Sequence, residues 1–155
     1  MNMRRTFPAF VALLAGAAAQ AQDAAPPPAG IAPCKLITEV DVKAALGGTW
    51  QVWQDMGSEE VCVFQASPTS MVTVTLYHDP MGAEKILEVR RRLAGDVAQP
   101  VEGLGPGAFR LQMSSANSIA FGKGQTVARV EMSNQASTDA SILEKLAQIA
   151  YARMP

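Results

Sequence analysis

Cys34 and Cys62 are the only cysteines in this 155-residue chain, and they bracket the start of its folded part. There is no C-x-x-C spacing and only one histidine, so the pair does not read as a metal or redox motif. In an oxidising compartment an even count reads as a disulfide, and two cysteines allow a single pairing. A Cys34–Cys62 bridge closes a loop of about 29 residues. The chain-entropy treatment assigns it about 3.6 kcal/mol. Whatever the fold, the segment at Cys34 must lie against the segment at Cys62.

The N-terminus supplies the compartment that this bridge requires. Arg4 and Arg5 form a positive n-region, Phe7 to Ala19 is apolar and uncharged, and Ala19-Gln20-Ala21 carries the small residues that signal peptidase accepts. Residues 1–21 therefore read as a signal peptide cut before Gln22. The apolar stretch is too short for a mature transmembrane helix, which needs about 20 residues. Leu14-Ala15-Gly16 is followed by Ala17 rather than by cysteine, so no lipid anchor is expected. Arg4-Arg5-Thr6-Phe7 resembles a twin-arginine signal, but ordinary unfolded export is preferred. The expected location is periplasmic or secreted.

Removal of residues 1–21 leaves 134 residues, with 11 basic and 14 acidic side chains. That length suits one domain. The charge balance offers no field for nucleic acid, and no second apolar stretch is long enough to span a membrane. Residues 22–33, with Ala24-Ala25-Pro26-Pro27-Pro28-Ala29-Gly30 at their centre, read as an extended tether. Residues 34–155 read as a single domain.

Within that domain, Thr38 and Asp41 form a capping box, and Ile37 and Val42 form a hydrophobic staple for a short helix ended by Gly47-Gly48. Three strands follow, at Trp50–Gln54, Glu60–Ala66 and Met71–His78. The third alternates Val72, Val74 and Leu76 with Thr73, Thr75 and Tyr77. Short turns at Met56-Gly57-Ser58 and Ser67-Pro68-Thr69 imply antiparallel pairing.

Asp79-Pro80 reads as the start of a second helix. Its apolar face is Ala83, Ile86, Leu87, Leu93 and Ala94; Glu88 and Arg92 form an i,i+4 pair, and Gly95 ends it. After a turn-rich connection from Gln99 to Gly107 come strands at Ala108–Gln112, Ser118–Phe121 and Gln125–Met132. The last two form a hairpin around Gly122-Lys123-Gly124. A final helix over Asp139–Arg153 carries Ile142, Leu143, Leu146, Ile149 and Ala150 at helical spacing. Ile-Leu-Glu opens the apolar stripe of both long helices, twelve residues after Val74 and Val130 respectively, which suggests a βββα duplication. The expected class is α+β: an antiparallel sheet with helices on one face, preceded by a short N-terminal helix.

Pro33-Cys34-Lys35-Leu36-Ile37-Thr38, followed by Val42 and Ala45-Leu46-Gly47, resembles the opening of a family of exported bacterial proteins of unknown function. That family is typified by actinobacterial cell-wall lipoproteins with a Cys-x-Leu-Leu-Thr … Ala-Leu-Gly start. Their second cysteine sits in an early strand, as Cys62 does, and Gly103-Leu104-Gly105-Pro106-Gly107-Ala108-Phe109 is similar to their glycine-rich turn. The resemblance spans most of residues 33–155 and departs from the family in lacking a lipidated cysteine. It implies an extracytoplasmic α+β domain and no reaction.

The chain carries no strong catalytic signature. His78 is the sole histidine, and no G-x-S-x-G elbow accompanies it. Gly103 to Gly107 precedes a strand rather than a helix, and Pro106 removes a donor, so it reads as a turn and not a phosphate loop. The methionines at 56, 71, 81, 113, 132 and 154 are scattered and read as filler rather than a copper site. Asp55, Glu59 and Glu60 read as a solvated turn rather than a glycosidase pair. Arg90-Arg91-Arg92 complements a helix C-terminus and offers a docking patch for an acidic partner.

Trp50 and Trp53, at odd separation in a strand, face opposite sides, so one can be core and the other an exposed anchor. The reading is an exported, non-enzymatic binding or accessory protein without a cofactor or metal. Its candidate surface is Trp50, Trp53, Tyr77 and His78, and its expected partner is a periplasmic or cell-envelope protein. The alternatives are an inhibitor of an extracytoplasmic enzyme and a hydrolase using His78. The oligomeric state is not legible.

Overall fold

A computed structural model of the chain describes residues 32–53 and 60–155. The expected signal peptide, tether residues 22–31, Gln54 and the Met56-Gly57-Ser58 turn lie outside the described residues. Pro33, placed in the tether by sequence, instead opens a helical turn, α1 (Pro33–Leu36). Cys34 in α1 is bonded to Cys62, with the two Cα atoms 5.2 Å apart.

Helix α2 (Glu39–Leu46) begins as its sequence dictates. The Thr38 hydroxyl accepts from the Asp41 amide, and Asp41 accepts from the Thr38 amide at 2.8 Å. Ile37 and Val42, on either side of the cap, are fully buried. Together these satisfy donors that a helix start otherwise leaves unpaired.

Strands β1 (Gln51–Trp53), β2 (Val61–Ser67) and β3 (Ser70–His78) form an antiparallel meander. Helix α3 (Ala83–Ala94) and a 3-10 turn (Gly95–Val97) follow. Strands β4 (Ala98–Pro100), β5 (Phe109–Gln112), β6 (Ala116–Lys123) and β7 (Thr126–Ser133) form a second meander, and α4 (Ala140–Arg153) ends the chain. All seven strands join one antiparallel sheet in the order β1-β2-β3-β7-β6-β5-β4. The α+β class is therefore as read from sequence.

The core lies between the sheet and α1, α2 and α4. On this face β3 contributes Val72, Val74 and Leu76, and β7 contributes Ala128, Val130 and Met132. Helix α3 is the exception among the helices. Its Ala83 and Leu87 pack with Phe109, Ala120 and Val127, which alternate along their strands with residues of the main core. Adjacent strand residues point to opposite faces, so α3 covers the opposite side. Strand β6 is sandwiched, and seven consecutive residues from Ala116 to Gly122 are buried.

The α3 crossing follows from its entry. Asp79, expected as the N-cap, makes a turn instead: its carboxylate accepts from the Met81 amide at 2.9 Å and its carbonyl from the Gly82 amide at 3.0 Å. Gly82, at φ +88°, then caps the helix. Leu93, expected on the apolar face, is 83 % exposed, because it lies about 120° around the helix from the buried Leu87. Glu88 and Arg92 pair as expected, and Gly95 ends the helix at φ +64°.

The strand half of the suggested duplication is visible. Val74 pairs with Val130 next to the central pair of the β3–β7 ladder, and the β1-β2-β3 and β5-β6-β7 meanders lie on either side of that seam. A two-fold axis that exchanges antiparallel neighbours in this way keeps each sheet face on its own side. The opposite placement of α3 and α4 breaks that relation, and the second unit adds β4. Strand β4 occupies part of the expected Gln99–Gly107 connection; as an edge strand it tolerates Pro100. The β6–β7 turn is Gly124-Gln125, since Gly122 pairs with Val127 inside the ladder.

Candidate functional site

The two tryptophans divide as their spacing requires. Trp50 is buried in the main core, where its indole N–H donates to the Gly47 carbonyl at 2.8 Å. It presents no surface. Trp53 is 45 % exposed and pairs with Val63, which pairs with Thr73, which pairs with Glu131. This row lies on the sheet face opposite α4. Tyr77 is on the same face, four residues along β3 from Thr73, or about 13 Å along the strand. Helix α3 packs mainly on β6 and β4 and reaches Tyr77 at the end of β3 through Arg90, so among the described residues no helix is packed over the β1–β2 part of this face.

His78 is exposed at the end of β3, paired in the ladder with Thr126. Its parity is that of Leu76, opposite to Tyr77. The structure therefore brings Trp53 and Tyr77 to one surface, leaves His78 at its rim on the other side, and takes Trp50 into the core.

Tyr77 sits in a cationic setting. The Arg90 guanidinium lies 4.5 Å from the centre of its ring, a cation–π contact. Arg129 is its diagonal neighbour across the β3–β7 ladder and forms an ion pair with Glu131, two residues along the same strand. Burial raises the Tyr77 hydroxyl above its ordinary pKa, opposed by Arg90, so the group is a protonated donor at neutral pH. That hydroxyl is buried and makes no hydrogen bond, and the same holds for Nε of Arg129 and Nε of Arg91. Sequence analysis singled out the Arg90 to Arg92 run but not Arg129 and Glu131. Their signal was present in the polar alternation of β7, where Arg129 and Glu131 interleave with Ala128, Val130 and Met132.

The glycine-rich turn is structural. Gly103, Gly105 and Gly107 all have φ near +80°, a region that glycine enters without steric cost. A Cβ on Gly105 would lie 2.9 Å from the Tyr151 hydroxyl, and one on Gly107 3.2 Å from the Glu84 carbonyl and the Leu87 side chain. The turn thus lets α3 and α4 approach from either side. Beside it is an open cavity of about 350 Å³, lined by Glu84, Pro106, Lys123 and Tyr151 among others. The Lys123 ammonium is already engaged there, donating to the Met154 carbonyl at 3.2 Å and lying 4.6 Å from the centre of the Tyr151 ring. Of the methionines, Met132 and Met154 are core residues, whereas Met81 and Met113 are exposed.

No known protein family and no curated protein matches the chain. Among solved structures it is similar to a crystal structure from Bacteroides thetaiotaomicron VPI-5482, with a TM-score of 0.37 and 13% identity. The match covers 54% of this chain and 34% of that one, so the chain spans about a third of that protein's length. A likeness of this degree establishes neither a shared fold nor a shared activity.

Proposed function

We propose that this protein is an exported, non-enzymatic binding or accessory module of the periplasm or extracellular space. It engages a cell-envelope partner through the sheet face that carries Trp53 and Tyr77. The observation that carries this reading is the presence of a 45 % exposed Trp53 and a half-buried Tyr77 on one sheet face, which α3 covers over β4 and β6 and reaches only at the Tyr77 end of β3. Tyr and Trp supply large contact area at low conformational cost and dominate binding hot spots. The Cys34–Cys62 bond is compatible with an oxidising compartment, and no described helix is long and apolar enough to cross a membrane.

Two measurements test the reading. The full chain, expressed in a bacterium, is expected in the periplasmic or culture fraction with Gln22 as its first residue by N-terminal sequencing; retention in the cytoplasm with Met1 intact would refute export. Immobilised protein is expected to retain a partner from an envelope extract. Trp53→Ala and Tyr77→Ala should each weaken that capture by about tenfold or more, while His78→Ala should not. Capture that survives both aromatic substitutions would move the surface elsewhere. A captured enzyme that loses activity on binding would identify the module as an inhibitor.

A further inference from the structure

Among the described residues, three buried side-chain atoms lack a hydrogen-bond partner: the Tyr77 hydroxyl, Arg91 Nε and Arg129 Nε. All three can donate. Buried polar groups are nearly always paired, so each of these calls for an explanation, and a shared acceptor would supply one.

They also belong to one face of the sheet. Tyr77 and Arg129 are diagonal neighbours on β3 and β7, with the Arg90 guanidinium over the Tyr77 ring. Arg91 lies one turn beyond Leu87 on the ridge that α3 presses against this face. Local charge is unbalanced. Arg129 is paired with Glu131, Arg92 with Glu88, and Asp79 lies at the rim, where its charge is felt by Tyr77. Arg90 and Arg91 have no carboxylate within ion-pair distance among the described residues. The Tyr77 end of this face thus presents Arg90 without a carboxylate partner, the phenolic hydroxyl, and the unbonded Nε of Arg129.

We infer that the Tyr77–Arg90–Arg129 face binds an oxyanion group, a carboxylate or a phosphate, of a ligand or partner. A planar or tetrahedral oxyanion has the lone pairs these donors lack. Charge-assisted bonds from arginine are the strong, geometrically selective kind. The half-buried setting screens them less than open water does. Glu131 accepts from Nη2 of Arg129, and Nε makes no hydrogen bond. This inference rests on the proposed binding face and names the chemistry it selects.

The test uses two probes, citrate and inorganic phosphate, at matched low ionic strength with sodium chloride as control. Affinity is measured by titration calorimetry, and thermal unfolding gives an independent readout, because a ligand bound to the native state raises Tm. At least one probe is expected to bind and raise Tm beyond the chloride control, and which one binds identifies the oxyanion. Tyr77→Phe and Arg90→Ala should each weaken binding by about tenfold. Tyr77→Phe keeps the ring and its packing, so a loss there is not a folding defect. Arg92→Ala removes the same charge from a side chain paired with Glu88 and should bind as the parent does. No response to either probe beyond chloride would overturn the inference, as would a response indifferent to Tyr77→Phe and Arg90→Ala. Partner capture through Trp53 is read separately, so it can stand while this inference falls.

Discussion

Asp41 closes the capping box of α2 and also receives Arg153 from the far end of α4. The guanidinium reaches Asp41 at 2.5 and 3.1 Å and donates to the Leu36 carbonyl at 3.1 Å. One side chain thereby clamps α1, α2 and α4. The hydrogen bond from Arg153 is the main reason the Asp41 carboxyl falls from 3.8 to about 2, against an opposing effect of burial. Taken whole, that difference corresponds to about 2.4 kcal/mol at 1.36 kcal/mol per pKa unit. Arg153 is 41 % exposed, and solvent screening leaves about 1 kcal/mol.

Asp41→Asn is therefore expected to lose about 1 kcal/mol at pH 7, read as a fall of about 0.5 M in the urea midpoint for an m-value near 2 kcal/mol/M. The sign follows from the direction of the shift. A carboxyl that is more acidic in the fold contributes fully above its unfolded pKa of about 3.9 and loses that contribution as pH falls through about 2. The gap between parent and Asp41→Asn should hold from pH 7 to about 5 and close between about 4 and 2. A gap that stays constant down to pH 2 would refute the reasoning. So would additivity of Asp41→Asn with Arg153→Ala in a double-mutant cycle, since directly bonded partners must couple.

Joint replacement of Cys34 and Cys62 by serine is expected to lower stability by about 3.6 kcal/mol; the reduced parent should match the variant in urea, and an unchanged midpoint would mean the bridge constrains little. Gly122→Ala places a Cβ 2.5 Å from that of Ala83 and 2.6 Å from the Thr126 carbonyl, so it should cost about 1–3 kcal/mol by overpacking, seen as a lower Tm. Leu87→Ala is expected to cost about 2–5 kcal/mol, whereas Leu93→Ala on the same helix should stay within about 0.5 kcal/mol. Equal costs in thermal or urea unfolding would contradict the placement of α3.

Much of this architecture is local and was legible in the sequence. The Thr38–Asp41 box, the Ile37–Val42 staple and the alternation of β3 each depend on side chains within a few residues of one another, where backbone geometry alone decides who meets whom. The Cys34–Cys62 pairing was legible because two cysteines leave no alternative. The split of Trp50 from Trp53 followed from the two-residue period of a strand. What periodicity cannot encode is which side of a sheet a helix will take. The stripe of α3 shows that it has an apolar face, but a turn at Asp79 to Gly82, closed by a glycine at φ +88°, carries that face to the side opposite α4. Only that crossing sets Arg90 over Tyr77. Only the β3–β7 pairing, between residues 48 to 60 positions apart in the chain, brings Arg129 to the same place. Single residues and short patterns thus determined the elements and their caps, while long-range strand pairing and the hand of one turn decided that Arg90, Tyr77 and Arg129 share one face.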